Sequence, residues 1–296
     1  AQSRAMDFTL YWFMFPVSIL VATCAMLSGI GGAALFTPIF ILVFPLLGDE
    51  YVLATTMTAI AAALFTQTFG FLSGFIGYYR RKLIDYELAR RILWLSVPVA
   101  ILGAVVANAV SDSVLIASYS LLVALLAFVM WRNPIKSGDP AIHLEGKVVI
   151  EKTDSRGQTY TYDRPELGAG NYALTGIGAF LTGMVSVGIG EVTRSQLTHK
   201  NIPIAVAAAT SVLVVILTVV FASATLFTEL IQAGGWTAIP WNLLIYDIPG
   251  VLIGGQIGPR LQGLVPQHRM RQAISVLFIF LAIAMMFVAT QKAGIH

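Results

Sequence analysis

Charged residues are scarce in this sequence of 296 residues. Asp, Glu, Lys and Arg make up 11% of the chain, whereas a soluble domain carries about 25%. So few charges cannot cover a water-facing surface, which excludes an ordinary soluble protein. The chain also lacks the basic runs typical of nucleic-acid-binding proteins. Lipid must surround most of the surface, and a content of 57% hydrophobic residues suits that environment.

Cysteine and the signatures of enzymes are scarce too. Cys24 is the single cysteine, so an intrachain disulfide and a CxxC site are both excluded. The four histidines show no metal-ligand spacing. The sequence has neither a GxxxxGK phosphate loop nor a GxSxG elbow. We therefore expect no enzyme activity, no cofactor, no bound metal and no ATP-driven step.

Long charge-free stretches are what the sequence does contain. A helix needs about 20 apolar residues to cross a bilayer. Lipid offers the backbone no hydrogen-bond partner, so only helices or closed barrels span it. The stretches lack the alternation of barrel strands, so they predict membrane helices. They cover residues 8–48, 52–79, 92–111, 113–131, 167–190, 201–228, 230–246 and 272–291.

The first stretch, residues 8–48, is too long for one crossing. As a single helix it would measure about 60 Å, about twice the bilayer core. We expect it to fold back at the glycine-rich residues 29–32, and the second half to break likewise at residues 188–190. Each half then contains a pair of re-entrant helical arms joined by a glycine turn.

Landmarks recur in the same order in the two halves. The run Gly-Ile-Gly-Gly at residues 29–32 matches Gly-Ile-Gly-Glu at residues 188–191, and Pro98 matches Pro249. The offsets between matched positions are similar, which indicates an internal repeat.

The basic residues orient the two halves. Lys and Arg cluster in residues 80–91, whereas the corresponding loop of the second half, residues 229–240, has none. The next pair of loops reverses this bias, because the bases lie in residues 260–271. Since Lys and Arg favour the cytoplasmic side, the two halves face opposite ways. We predict an all-α integral membrane protein of two inverted-topology repeats, each with a broken helical pair and three transmembrane helices.

A polar linker joins the halves. Residues 132–166 contain β-forming runs on both sides of a turn at residues 154–157, which predicts a small β-hairpin on the cytoplasmic side. The chain thus divides into a membrane repeat at 1–131, the linker at 132–166 and a second repeat at 167–296. Both termini are expected outside. A plain connector is the simpler role for the linker, and a regulatory role stays open.

The glycine turns are the best candidate site. A helix that starts inside a membrane presents unpaired N–H groups and a partial positive charge. Such an end attracts anions, and glycine permits close approach; close helix packing is the alternative. Nearby hydroxyls can donate to an oxyanion or bond their own helix. The candidate anion-binding residues are Gly29, Ile30, Gly31, Gly32, Thr55, Thr56, Gly188, Ile189, Gly190, Thr210 and Ser211.

Three charged residues near the membrane are candidates for coupling or charge compensation. Glu191 and Arg194 are spaced i,i+3 and can pair on one helix face. Asp247 lies six residues into the span that begins at Trp241, about 9 Å deep by helical rise. An acid inside a membrane is costly and is a functional candidate by default. A structural pair and a snorkelling side chain are the alternatives.

The ordered motifs resemble the sulfite exporter TauE/SafE family. They are Ser-Gly-Ile-Gly-Gly-Ala at residues 28–33, Gly-Tyr-Tyr-Arg-Arg-Lys at 77–82 and Val-Gly-Ile-Gly-Glu at 187–191. The resemblance implies ATP-independent transport of sulfite, thiosulfate or organosulfonates across a bacterial or archaeal plasma membrane. The second turn departs from the pattern, because Glu191 places a negative charge beside the expected anion site.

Other functions stay open at this point. The chain can be an anion channel or uniporter for a non-sulfur oxyanion or a carboxylate. An intramembrane enzyme and a receptor or scaffold are two further alternatives. The expected partners are a small anion and lipid, and not nucleic acid. The sequence does not decide which anion is moved, in which direction, with which coupling ion, or whether the protein forms a homo-oligomer.

Overall fold

The first half of the computed structural model contains two short helices followed by three long ones. The structure describes residues 7–28, 31–132, 149–155, 157–261 and 267–294. The helices of the first half are α1 (Met14–Ser28), α2 (Ala33–Leu47), α3 (Thr56–Arg80), α4 (Tyr86–Ala109) and α5 (Asp112–Arg132). α2 includes a π-helical stretch, Ile39–Val43, directly after Pro38, whose missing N–H interrupts the regular hydrogen bonds.

The second half has the same order of elements. Its helices are α6 (Ala169–Val185), α7 (Ile189–His199), α8 (Ile204–Gly234), α9 (Trp241–Leu261) and α10 (Gln267–Ala293). The breaks between α1 and α2 and between α6 and α7 fall at the two glycine runs, as the sequence predicted. Gly29 and Ile30, within the first run, lie outside the described residues.

Five described helices are long and apolar enough to cross a membrane, namely α3, α4, α5, α8 and α10. This confirms the prediction of a helical membrane protein. α9 has 21 residues but carries Asp247 in its first half, which lowers its hydropathy. α3 and α8 are central, since 67% and 61% of their apolar windows are buried, against 33–39% for the other three.

One predicted span is wrong. The charge-free stretch at residues 230–246 is divided between the end of α8 and the start of α9. Gly235 ends α8 with a φ of +72°, and Pro240 precedes α9. Glu229, which bounded the predicted span, lies within α8, where its carboxylate accepts a hydrogen bond of 2.7 Å from the Asn108 amide. A charged residue at the end of an apolar stretch therefore does not always mark the end of a helix.

Contacts between the halves are reciprocal. α1 packs on α9 and α6 packs on α4, while α3 packs on α9 and α8 packs on α4. α3 also contacts α8, and α5 contacts α10. Each of the first four contacts thus has a counterpart in which the two halves exchange roles, and the last two join helices that occupy equivalent places in their halves.

Glycines allow two of these crossings. A Cβ on Gly103 of α4 would lie 2.2 Å from the carbonyl oxygen of Phe180 on α6. A Cβ on Gly254 of α9 would lie 2.5 Å from the carbonyl oxygen of Ile19 on α1. Both distances are far below a normal contact, so these backbones approach only where no side chain intervenes.

The linker contains the predicted hairpin. Strands β1 (Val149–Thr153) and β2 (Thr159–Asp163) pair antiparallel. Residues 133–148 of the predicted polar segment lie outside the described residues. The hairpin rests on the loop between α3 and α4, because the hydroxyl of Tyr162 donates a 2.7 Å hydrogen bond to Oδ2 of Asp85.

Candidate functional site

The two glycine breaks lie on opposite sides of one small cavity. The breaks come from different halves of the chain, and the starts of α2 and α7 meet at this point. Side chains of α3, α6 and α8 complete the wall. The lining residues are Gly31, Gln67, Thr182, Ser186, Val187, Gly188, Ile189, Gly190, Glu191 and Val215.

Side chains from elsewhere in the fold accept hydrogen bonds from the first break. The N–H of Gly31 donates to Oε1 of Glu191 at 3.0 Å. The N–H of Ala33 donates to Oε1 of Gln67 on α3 at 2.7 Å. The first N–H groups of a helix have no intrahelical partner, and these two bonds therefore satisfy donors at the start of α2. The Glu191 carboxylate therefore already occupies the N–H of Gly31, one of the donors expected to attract an anion.

The second break has a strained backbone that glycine makes accessible. Ser186 and Gly188 have positive φ angles of 70° and 143°. A Cβ on Gly188 would lie 2.7 Å from the carbonyl oxygen of Gly178 on α6, so no other residue fits. The hydroxyl of Ser186 also contacts the hydroxyl of Thr37 on α2 at 2.8 Å, which ties the two halves together beside the cavity.

α7 starts at the cavity, where its first N–H groups have no partner within the helix. The N–H of Ile189 donates to Oγ1 of Thr182 at 2.7 Å. Helix geometry leaves the next N–H groups, those of Gly190 and Glu191, without an intrahelical partner. Together with the partial positive charge of a helix start, they provide donors for a small anion.

The first predicted hydroxyl pair lies away from the cavity. Thr55 precedes α3, and its side chain accepts the N–H of Thr58 at 3.0 Å. Thr56 donates its N–H to Oδ2 of Asp112 at 3.3 Å. Neither residue is among those that line the cavity. Gln67, the α3 residue in its wall, is eleven positions further along, a rise of about 16 Å.

The second hydroxyl pair borders the cavity without lining it. Ser211 donates to the carbonyl oxygen of Gly190 at 3.2 Å, so it supports the second break. Thr210 accepts the N–H of Asp85 at 3.0 Å. α8 therefore connects the second break to the loop on which the hairpin rests.

The three charged candidates occupy different places. Glu191 lines the cavity. Arg194 follows one turn later and lies within electrostatic range of the Tyr78 hydroxyl on α3. Asp247 is 0% exposed and is not part of the cavity wall; its carboxylate accepts a 2.6 Å hydrogen bond from Ser18 on α1. The structure thus brings Glu191 to the glycine turns and places Asp247 at a separate helix crossing.

Sequence reasoning missed the side chains that complete the cavity. Gln67, Thr182 and Ser186 are all buried and line it. Gln67 was identifiable, because a long amide in an otherwise apolar span is a functional candidate. Thr182 and Ser186 are harder to identify from the sequence. They are four residues apart, and they share a helix face only if α6 continues to the second break.

Metal chemistry has no obvious place in the described residues. Within the described ranges, no group of three or more His, Cys, Asp or Glu side chains is arranged to hold a metal ion. What the cavity offers instead is backbone N–H groups, the Gln67 amide and the Ser186 hydroxyl. Those donors bind anions by hydrogen bonding rather than by coordination.

Comparison with known families agrees with the motifs of the sequence. The family described as Sulfite exporter TauE/SafE matches residues 14–285, which covers both glycine breaks and nearly the whole chain. Comparisons with curated proteins and with solved structures gave no significant match. The chain belongs to the sulfite exporter TauE/SafE family.

Proposed function

We propose that this protein carries small sulfur-containing anions across the plasma membrane without ATP. The anion is sulfite, thiosulfate or an organosulfonate, and it binds between the two glycine breaks. Family membership supports a membrane transporter of the sulfite-exporter type. The observation that supports this site is the hydrogen bond from the Gly31 N–H to the Glu191 carboxylate, in which a break holds a carboxylate oxygen.

The arrangement suits a small oxyanion for an electrostatic reason. Two helix starts meet at the cavity, and each has a partial positive charge. The donors are backbone groups, the amide of buried Gln67 and the hydroxyl that buried Ser186 shares with Thr37; the Thr182 hydroxyl supports the second break, because it donates to the carbonyl oxygen of Gly178 and accepts the N–H of Ile189. They are fixed by the fold, so they need little reorganisation when an anion arrives.

Alternating access follows from the proposed repeat. We take residues 1–131 and 167–296 as inverted repeats, supported by the reciprocal helix contacts. In this arrangement the linker is cytoplasmic and both termini are outside, as the Lys and Arg bias favours. A site at the interface of two such repeats is opened to either side by rocking one against the other. Glu191 and Arg194 then tune the charge at the site.

Flux measurements in proteoliposomes test the proposal. We expect sulfite or thiosulfate to move faster than acetate and nitrate, to saturate with concentration, and to raise the thermal stability of the purified protein. The Gly31→Leu variant in the same liposomes controls for leakage. If no anion moves and none stabilises the protein, the proposed function is wrong.

The alternative is a channel or uniporter for a carboxylate or a non-sulfur oxyanion. Its support is the Glu191 carboxylate itself, since the Gly31 N–H already accommodates that group. Acetate flux that exceeds sulfite flux and does not saturate would favour this alternative.

A further inference from the structure

Asp247 lies where three helices cross. It belongs to α9, which packs against α1 and α3. Its side chain is 0% exposed. Oδ1 accepts a 2.6 Å hydrogen bond from the hydroxyl of Ser18 on α1. The hydroxyl of Thr66 on α3 faces the same carboxyl group.

Two buried oxygens at this crossing lack hydrogen bonds. Oδ2 of Asp247 and Oγ1 of Thr66 have no partner among the described residues. Buried polar atoms are paired in the great majority of cases, so two neighbouring exceptions need an explanation. The carboxyl group and the hydroxyl lie side by side but do not reach hydrogen-bond geometry.

Within the part of the chain that the structure describes, no positive charge offsets this carboxyl group, and the side chains that face it are the hydroxyls of Ser18 and Thr66. α1 carries no charged side chain, and the first charged residue on α3 is Arg80, fourteen positions beyond Thr66. The other titratable side chains on the three helices are Cys24, Tyr78, Tyr79, Arg80, Tyr246 and Arg260.

The equivalent crossing in the first half is neutral and fully bonded. Ser96 stands two residues before Pro98, as Asp247 stands two residues before Pro249. Its hydroxyl is 3.0 Å from the hydroxyl of Thr218 on α8, and the pair is buried. A Ser–Thr pair is therefore sufficient for packing at such a crossing, and the acid in the second half is not needed for that purpose.

We propose that Asp247 is a proton-binding site that is loaded and released during anion transport, an inference that rests on the proposed function. The proton comes from water, forms an O–H bond at Oδ2 and neutralises the carboxylate. That O–H then donates to Oγ1 of Thr66, so both unpaired oxygens gain a partner. Release returns the proton to water on the opposite side of the membrane.

α3 links this site to the cavity. Thr66 faces Asp247, and the next residue, Gln67, lines the cavity and accepts the N–H of Ala33. A shift of α3 against α9 therefore changes both sites at once. A proton carried with the anion cancels one unit of charge, which makes inward anion movement feasible against an inside-negative potential.

Infrared spectroscopy tests the proton directly. A protonated carboxyl group absorbs at a higher C=O frequency than a carboxylate. We expect the purified wild-type protein to show such a band near neutral pH and Asp247→Asn to lack it. Ser96→Ala, which alters the equivalent crossing, should retain the band. A wild-type spectrum without the band would overturn the inference even if transport is intact.

Transport against pH, with the membrane potential clamped at zero, tests the coupling. We expect the wild-type rate to change by up to about tenfold per pH unit, the limit for one proton. Asp247→Asn, which resembles the protonated acid, should vary by less than about twofold over the same range. Asp247→Ser recreates the Ser96 pair and provides a second variant if Asn prevents folding.

The outcomes separate the two proposals. Anion binding and flux with an unchanged pH profile in Asp247→Asn would overturn proton coupling and leave the anion site intact. Absence of flux for every anion in the wild type would refute the proposed function, and the infrared band would still report whether Asp247 is protonated.

Discussion

The N–H of Gly31 donates a hydrogen bond of 3.0 Å to Oε1 of Glu191, a residue 160 positions later in the chain. The bond joins the start of α2 in the first half to the first turn of α7 in the second. Glu191 thus holds a negative charge against a donor that we assign to the substrate. An incoming anion must compete with this carboxylate or approach close to it.

Glu191→Gln should strengthen anion binding. The amide oxygen of glutamine can still accept the Gly31 N–H, so the contact survives while the charge is lost. Two like charges about 4 Å apart repel by roughly 1–4 kcal/mol, depending on the local dielectric. We therefore expect sulfite or thiosulfate affinity to rise by on the order of tenfold. Calorimetric titration of the purified variant measures it.

Glu229→Gln is the matched control for that change. It removes the same charge from a half-buried acid on α8 that hydrogen-bonds Asn108, outside the cavity wall. Its anion affinity should equal that of the wild type. Weaker binding in Glu191→Gln than in Glu229→Gln would contradict the prediction and make Glu191 a supporting residue of the site.

Gly31→Leu should abolish anion binding while the protein still folds. A Cβ at Gly31 would lie 3.3 Å from Nε2 of Gln67 and 3.6 Å from Oε1 of Glu191, and the rest of a leucine side chain would fill the space between the breaks. Gly32→Ala is the control, because its Cβ would meet Phe36 at an ordinary 3.8 Å. Thermal stabilisation by sulfite compares the two. Normal stabilisation of Gly31→Leu would place the site elsewhere.

Tyr162→Phe should loosen the hairpin from the membrane helices. The lost hydrogen bond to Asp85 has a charged acceptor, and such bonds contribute about 1.5–3 kcal/mol. Hydrogen exchange of the amides at residues 154–158 should speed up by on the order of tenfold or more. Tyr160→Phe removes a hydroxyl that donates to Gln158 within the hairpin, so exchange should barely change. Equal effects in both variants would mean that Tyr162 does not dock the hairpin.

The hairpin should stay docked on the helices until the pH is strongly alkaline. Burial, and then the hydrogen bond to Asp85, raise the pKa of Tyr162 above its usual value of 10.0. A group whose pKa is raised in the folded state stabilises that state fully at a pH below its unfolded-state pKa. This stabilisation is lost as the pH rises towards the folded-state pKa. Docking should therefore persist up to about pH 10 and weaken only above it. The tyrosinate absorbance of Tyr162 is the difference between the wild type and Tyr162→Phe. If it develops below pH 10, Tyr162 is not the buried, hydrogen-bonded residue that docks the hairpin.

Single-cysteine labelling should find the hairpin inside the cell. Ser155, at the hairpin turn, and Thr237, between α8 and α9, are both exposed, and inverted topology places them on opposite sides. With Cys24 replaced, a membrane-impermeant thiol reagent should label Thr237→Cys in intact cells and Ser155→Cys only after lysis. Labelling of Ser155→Cys in intact cells would refute both the sidedness and the inverted repeat.

The candidate site was predictable from the sequence only in part. The glycine runs identified both breaks, since a long apolar stretch must fold back where the backbone permits it. The sequence could not indicate that Glu191 reaches Gly31, because pairing across 160 residues depends on how the halves pack. For the same reason Thr55 and Thr56, which look equivalent to Thr210 and Ser211, lie far from the cavity.

Local composition alone determined that this protein is a helical membrane protein with two broken segments and a hairpin linker. Lipid excludes unpaired backbone groups, so apolar length specifies helices, and turn residues within a polar segment specify the hairpin. The tertiary structure decided which polar groups meet. It placed Gln67, Thr182 and Ser186 around one cavity and Asp247 beside Ser18 and Thr66, because close crossings at glycine, rather than sequence spacing, bring distant helices together.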